Sequence, residues 1–120
     1  MAEYKLGVVE TQFADIVWNH APMRTGKLVE LCQQTLNWKR TTTYTVLKKF
    51  TDRGLFHLEN GVVTVLVSRE AYYATQSRRF VEASFNGSLP AFIAAFTQRQ
   101  KLSQEEIDQI HRMIEAAREE

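Results

Sequence analysis

A single cysteine, Cys32, means that no disulfide can form within this chain and no cysteine cluster can hold a metal. Cys32 falls among the apolar positions of a predicted helix, which suits a buried structural thiol. The histidines, His20, His57 and His111, stand far apart and share no ligand spacing with cysteine or acids. There is no Ser/His/Asp set, no glycine-rich phosphate loop and no pair of carboxylates in an evident cleft. Neither catalysis nor a cofactor is therefore expected. No apolar run approaches the ~20 residues that a membrane span needs. No signal peptide opens the chain, so we expect a cytoplasmic protein without direct membrane contact. Nor is there an excess of one charge: 15 Lys and Arg against 14 Asp and Glu leave a net +1. The balance is uneven along the chain. Residues 1–71 carry +2 and residues 72–120 carry −1. The basic excess is concentrated at 38–53. That is too little for a general polyanion binder but enough for a localised footprint.

What is present is a core. At 120 residues and 44% hydrophobic, the chain can form one compact domain, or a small domain with an appended assembly segment. The spacing of Val9, Phe13, Ile16 and Val17 predicts an amphipathic helix from about Val8 to His20, with Trp18 near its end. Glu10 follows Gly7 by three, a weak capping arrangement. Pro22 then breaks the chain. Leu28, Leu31, Cys32 and Leu36 predict a second helix, about Thr25 to Leu36, and Asn37 lies in the turn that follows.

A third helix follows Trp38 and has two different faces. Val46, Leu47 and Phe50 lie on one side and can be buried. Thr42, Thr45, Lys48 and Lys49 fall on the other. Five basic residues, Lys39, Arg40, Lys48, Lys49 and Arg53, stand against one acid, Asp52. Small hydroxyls between cations suit contact with phosphates and base edges. A solvated helix face would read the same way. Gly54 stops the helix by taking the left-handed conformation. The period then changes. Leu55–Glu59 and Val62–Val67 read as strands, joined by Asn60-Gly61, a strong hairpin signal. Three short helices and a hairpin, in this order, make a winged helix-turn-helix, with the helix before the hairpin as the recognition helix.

Ser68 can cap a further helix, about Arg69 to Phe85, which carries Tyr72, Tyr73, Phe80, Val81 and Phe85. Ser88 caps another, with Pro90 in its first turn and Leu89, Phe92, Ile93 and Phe96 on its apolar side. Ser103 and Glu106 form a capping box for the last helix, whose seam is Ile107, Ile110, Ile114 and Ala117. Helices this short can hardly cover so many large apolar side chains alone. They either pack back on the first domain or dock on a second copy, and we favour the second copy. The expected dimerisation residues are Tyr73, Phe80, Phe85, Phe92, Phe96, Ile107, Ile110 and Ile114.

Several of these segments together resemble the penicillinase-repressor family, the BlaI and MecI type, with the copper-responsive CopY repressors as relatives. They are Glu10, Ile16-Val17-Trp18, Trp38 with the threonine-rich run to Val46-Leu47, Arg53-Gly54-Leu55, the hairpin, the aromatic helix, and the tail from Lys101 to Asp108. The resemblance covers about residues 6–118. It implies a homodimeric winged-helix transcriptional repressor on a dyad-symmetric double-stranded operator, with a membrane-bound sensor or protease as a further partner. By position, the DNA-contacting segment maps onto Arg40 to Lys49. Thr42 and Thr45 match family threonines, and Lys49 stands where the family usually has a basic residue. The chain departs from the family pattern in three places. Tyr44 replaces a residue that is basic in some members. The wing from His57 to Val67 lacks Lys and Arg and contains Glu59. Ala95-Phe96 stands at the family's Asn–Phe cleavage point. The cysteine-rich metal tail of the copper-responsive relatives is absent.

The expected architecture is thus mainly α with a small β-hairpin: a winged helix-turn-helix DNA-binding domain over 1–71 and a helical dimerisation domain over 72–120. The expected DNA contacts are Arg40, Thr41, Thr42, Tyr44, Thr45, Lys48 and Lys49. Arg40, Lys48 and Lys49 are assigned to phosphates, with Arg40 able to reach a guanine edge. Thr45 and Tyr44 are assigned to bases. Thr41 or Thr42 can cap the helix, where backbone N–H groups can also meet a phosphate. Trp38 reads as a core or hinge residue. The alternative function is a winged-helix module that binds protein and has no specific DNA site.

Overall fold

The computed structural model describes residues 6–119. The chain divides into two compact units, Met1–Gln76 and Ser77–Glu120, and the division falls inside the fourth helix. The element order is α1 (Val8–His20), β1 (Met23–Arg24), α2 (Thr25–Leu36), α3 (Arg40–Asp52), β2 (Phe56–Glu59), β3 (Val62–Val65), α4 (Arg69–Phe85), α5 (Leu89–Thr97) and α6 (Gln104–Ala116). The fold is mainly helical with one small antiparallel sheet: a winged helix-turn-helix followed by a helical segment.

The sheet has three strands, in the order β1-β3-β2, where the sequence predicts a hairpin alone. The third strand is Met23–Arg24, just after a cis Ala21–Pro22 bond. Two residues are too few to show a period, so nothing local announces them. They are specified by what they pair with: Met23 opposite Val63 and Arg24 opposite Val62. The hairpin turn is as expected, with Asn60 and Gly61 both at positive φ. Paired residues share a face of the sheet. Val63, Met23 and Phe56 turn inward and are buried, while Arg24 and Glu59 are exposed on the outer face.

Aromatic rings form the centre of the first unit. Phe13 on α1 lies 5.1 Å from Phe50 on α3, 5.7 Å from Trp38 and 6.5 Å from Phe56, ring centre to ring centre. Phe50 stacks on Phe56 at 5.2 Å. Leu28, Cys32, Leu47 and Val63 close the core around them. Trp38 is half-buried against Phe13 in the turn between α2 and α3, the structural role its position suggested. Trp18 donates its indole N–H to the Val67 carbonyl at 2.9 Å, tying α1 to the end of the wing. Val9 departs from expectation. It belongs to the predicted apolar stripe yet is exposed, because it lies in the first turn of α1, one turn before Phe13 enters the core; Ala14 is buried instead. The cap of α1 is one-sided: the Gly7 N–H donates to Glu10 Oε1 at 3.2 Å, and glycine has no side chain to return the bond.

The second unit holds the end of α4 with α5 and α6. Phe80, Phe85 and Phe92 pack edge to face, 5.7–6.0 Å apart, and Phe92 reaches Phe96 at 6.2 Å. Ser88 accepts from the Ala91 N–H at 3.1 Å. The predicted capping box of α6 is complete: Ser103 Oγ accepts from the Glu106 N–H at 3.1 Å, and Glu106 Oε1 accepts from the Ser103 N–H at 3.1 Å. The Ala117 position expected in the seam is instead the C-cap of α6. Ser103→Ala is expected to destabilise α6 by about 1 kcal/mol, the usual worth of an N-cap hydroxyl. Helical ellipticity against temperature checks this; an unchanged melt would mean the box is not used.

Candidate nucleic-acid interface

Helix α3 is placed by its own buried residues. Thr43, Leu47 and Phe50 lie at i, i+4 and i+7 and point into the core. Thr43 was not expected there, because a threonine among threonines gives no hydropathy signal. Only its spacing to Leu47 and Phe50 could have revealed it. It is 1% exposed, and its hydroxyl donates to the Lys39 carbonyl at 3.2 Å. Cys32 of α2 is hydrogen-bonded to Thr43. Burial pushes the Cys32 thiol above its ordinary pKa, while the Thr43 bond pulls it down. The thiol is thus a packing element between the two helices of the helix-turn-helix. Asn37 at φ 57° ends α2 and turns the chain towards α3. Gly54 at φ 82° ends α3 and releases the chain into β2.

With Thr43, Leu47 and Phe50 inward and Val46 half-buried against the same core, the threonines and cations of α3 are left towards solvent. Arg40, Thr41, Thr42, Thr45, Lys48 and Lys49 are exposed and Tyr44 is half-buried, so all seven predicted contacts lie on one helix. The Arg40 guanidinium sits over the Tyr44 ring, 5.4 Å from its centre. That contact fixes a long cation at the start of the helix. Thr45 is exposed and its hydroxyl donates back to the Thr41 carbonyl at 2.9 Å. Lys48 pairs with Asp52 at 3.1 Å, a solvent-exposed i,i+4 contact. Among the described residues no carboxylate pairs with Lys49.

The capping role expected of Thr41 or Thr42 is not found. The N-cap is Lys39, with no side-chain cap bond, and α3 begins at Arg40. Thr41 and Thr42 are inside the first turn, and a capping hydroxyl must stand outside it. The first N–H groups of α3 therefore keep no side-chain acceptor, while the helix dipole places partial positive charge at that end.

The residues expected at a dimer contact separate into two groups. Tyr73 belongs to the first unit, where it packs against Trp18 at 6.0 Å and Tyr72 at 5.0 Å under the Arg69 guanidinium. Phe80, Phe85, Phe92, Phe96, Ile107, Ile110 and Ile114 belong to the second. There Phe80, Phe96, Ile107 and Ile114 are exposed, and no described residue of α5 or α6 is buried. Leu89, Ile93 and Met113 are exposed beside them and were not assigned from the sequence, although Ile93 stands one turn from both Leu89 and Phe96. Among the described residues no group of His, Cys, Asp and Glu could hold a metal ion, and no helix is long and apolar enough to cross a membrane.

A winged helix-turn-helix whose third helix presents threonines and cations to solvent is the build of a DNA-binding regulator. A family model described as penicillinase repressor matches residues 6–116. The chain belongs to the penicillinase-repressor family, whose members are transcriptional repressors and not enzymes. It is 26% identical over 110 residues to the penicillinase repressor of Bacillus licheniformis, covering 88% of this chain and 86% of that one. It is 19% identical over 116 residues to the methicillin resistance regulatory protein MecI of Staphylococcus aureus, covering 92% of this chain and 94% of that one.

Proposed function

We propose that the protein represses transcription as a homodimer on a dyad-symmetric DNA operator, with α3 of each copy in the major groove. The observation that carries the reading is the division of α3. Its packing residues fix it to the core through Thr43, Leu47 and Phe50, and its solvent face is threonine and cation. Such a face offers hydroxyls and methyl groups to base edges, with Arg40 and Lys49 for phosphates. Family membership supports repression as the outcome. The uncovered apolar side chains of α5 and α6 support a second copy as partner. A dimer would set two α3 helices one DNA turn apart or a multiple, ~34 Å per turn. A membrane-bound sensor or protease, of the kind the resemblance implies, would find the Ala95–Phe96 bond inside α5 and would have to unwind it first.

Selection of bound fragments from random DNA, followed by salt titration of the recovered sequence, tests the reading. Dyad-symmetric fragments and steep salt dependence are expected. Binding that ignores salt, or no binding at low ionic strength, would favour a protein-binding module instead. Within that assay Lys49→Ala should flatten the slope of log affinity against log salt by about 0.9 per protomer, one phosphate's worth for each copy. Lys48→Ala should change it less, because Asp52 already offsets part of that charge. Equal slopes for Lys49→Ala and the parent protein would remove α3 from the interface.

A further inference from the structure

The wing has no cation of its own, yet the sheet places one at its tip. Strands β2 and β3 contain no Lys or Arg, and their one acid, Glu59, holds His57 at 3.2 Å. Arg24 comes from β1, in a distant part of the sequence. It pairs with Val62 beside the hairpin turn, on the exposed outer face. The next residue, Thr25, donates its N–H to the Gly61 carbonyl at 3.0 Å, which anchors this strand to the turn. A Cβ built on Gly61 would stand 3.5 Å from Arg24 Nη1, ordinary van der Waals contact, so the guanidinium lies beside the wing tip. Among the described residues no carboxylate pairs with Arg24.

Arg24 does nothing for its own helix. It is the N-cap of α2 but makes no side-chain cap bond. Positive charge at a helix N-terminus opposes the helix dipole, and α2 has no acid in its first turn to offset it. A residue that breaks the local rule without a local gain points to another role. The wing follows α3 directly through Gly54-Leu55, and β2 carries the chain roughly 13 Å onward at ~3.3 Å per residue. A cation at that tip can reach a phosphate flanking the groove that α3 would occupy.

We infer that Arg24 is the phosphate contact of the wing, a cation supplied by β1 to a hairpin that lacks one. This rests on the DNA-binding reading above. Guanidinium suits the task because its planar fork can hold two phosphate oxygens at once. Gly61 takes the turn beside it at φ 75°.

The test uses the full chain and a labelled duplex of roughly 40 base pairs recovered by selection from random sequence, long enough for two half-sites. Affinity is measured from ~50 to ~300 mM KCl. Arg24→Gln should lower affinity about five- to tenfold and flatten the salt slope by about 0.9 per protomer. Hydroxyl-radical protection should disappear at the sugars flanking each α3 footprint and persist inside it. Arg24→Lys keeps the charge and should keep the slope. It also covers the case in which Arg24→Gln fails to fold. Lys49→Ala, run alongside, separates two kinds of failure. If Lys49→Ala flattens the slope and Arg24→Gln leaves both slope and flanking protection intact, the inference is overturned and the DNA-binding reading stands. If neither variant alters binding, the DNA-binding reading itself falls.

Discussion

Ile114→Asp is expected to turn the protein into a monomer of 13.9 kDa and to weaken operator binding about a hundredfold or more. Ile114 is 56% exposed on α6, in line with Ile107 and Ile110 and beside Met113. A carboxylate at an exposed position costs the single chain little. In a dimer the same carboxylate would be buried without a partner, and association would fail. The loss of affinity follows from valency. With two copies joined, the second half-site is filled at high effective concentration; a monomer must bind each half-site separately. Sedimentation velocity gives the mass, and anisotropy on a selected duplex gives the affinity. An Ile114→Asp protein that still sediments at twice 13.9 kDa would move the dimer contact away from α6.

The second large effect is expected from Phe13→Ala. Phe13 is fully buried and touches rings from α3, from the turn before α3 and from β2. Truncating a buried phenylalanine costs about 3–5 kcal/mol, from lost burial and from the cavity left behind. Small domains have only about 5–15 kcal/mol in total. The first unit should therefore unfold at much lower urea, and DNA binding should fall with it, because Phe50 and Leu47 can no longer hold α3 in place. Urea unfolding followed by tryptophan emission measures the change. A loss of under about 1 kcal/mol would mean that the aromatic centre is not the core.

Local signals in the sequence were enough to outline most elements. Serine caps at Ser68, Ser88 and Ser103 each start a helix, because a hydroxyl three residues before an N–H is a short-range arrangement. Asn60-Gly61 fixed the hairpin for the same reason. Long-range pairing was not legible. Met23–Arg24 becomes a strand only because Val62 and Val63 lie beside it, and no pattern of two residues can say so. Thr43 gives no hydropathy signal among its polar neighbours, although the packing of α3 needs it inside. The character of α3 was visible in its threonines and cations. What was not visible is which of those groups already have partners: Lys48 with Asp52, Arg40 with Tyr44, Thr45 with Thr41. Tyr73 shows the same limit, since an aromatic residue on an amphipathic helix does not declare which neighbour it meets.

Both tryptophans, Trp18 and Trp38, lie in the first unit, and residues 77–120 contain no tryptophan or tyrosine. Light absorbed near 295 nm is therefore emitted only from the helix-turn-helix side of the chain. One sample can give two separate melting curves, emission for the first unit and total helical ellipticity for both, without any added dye.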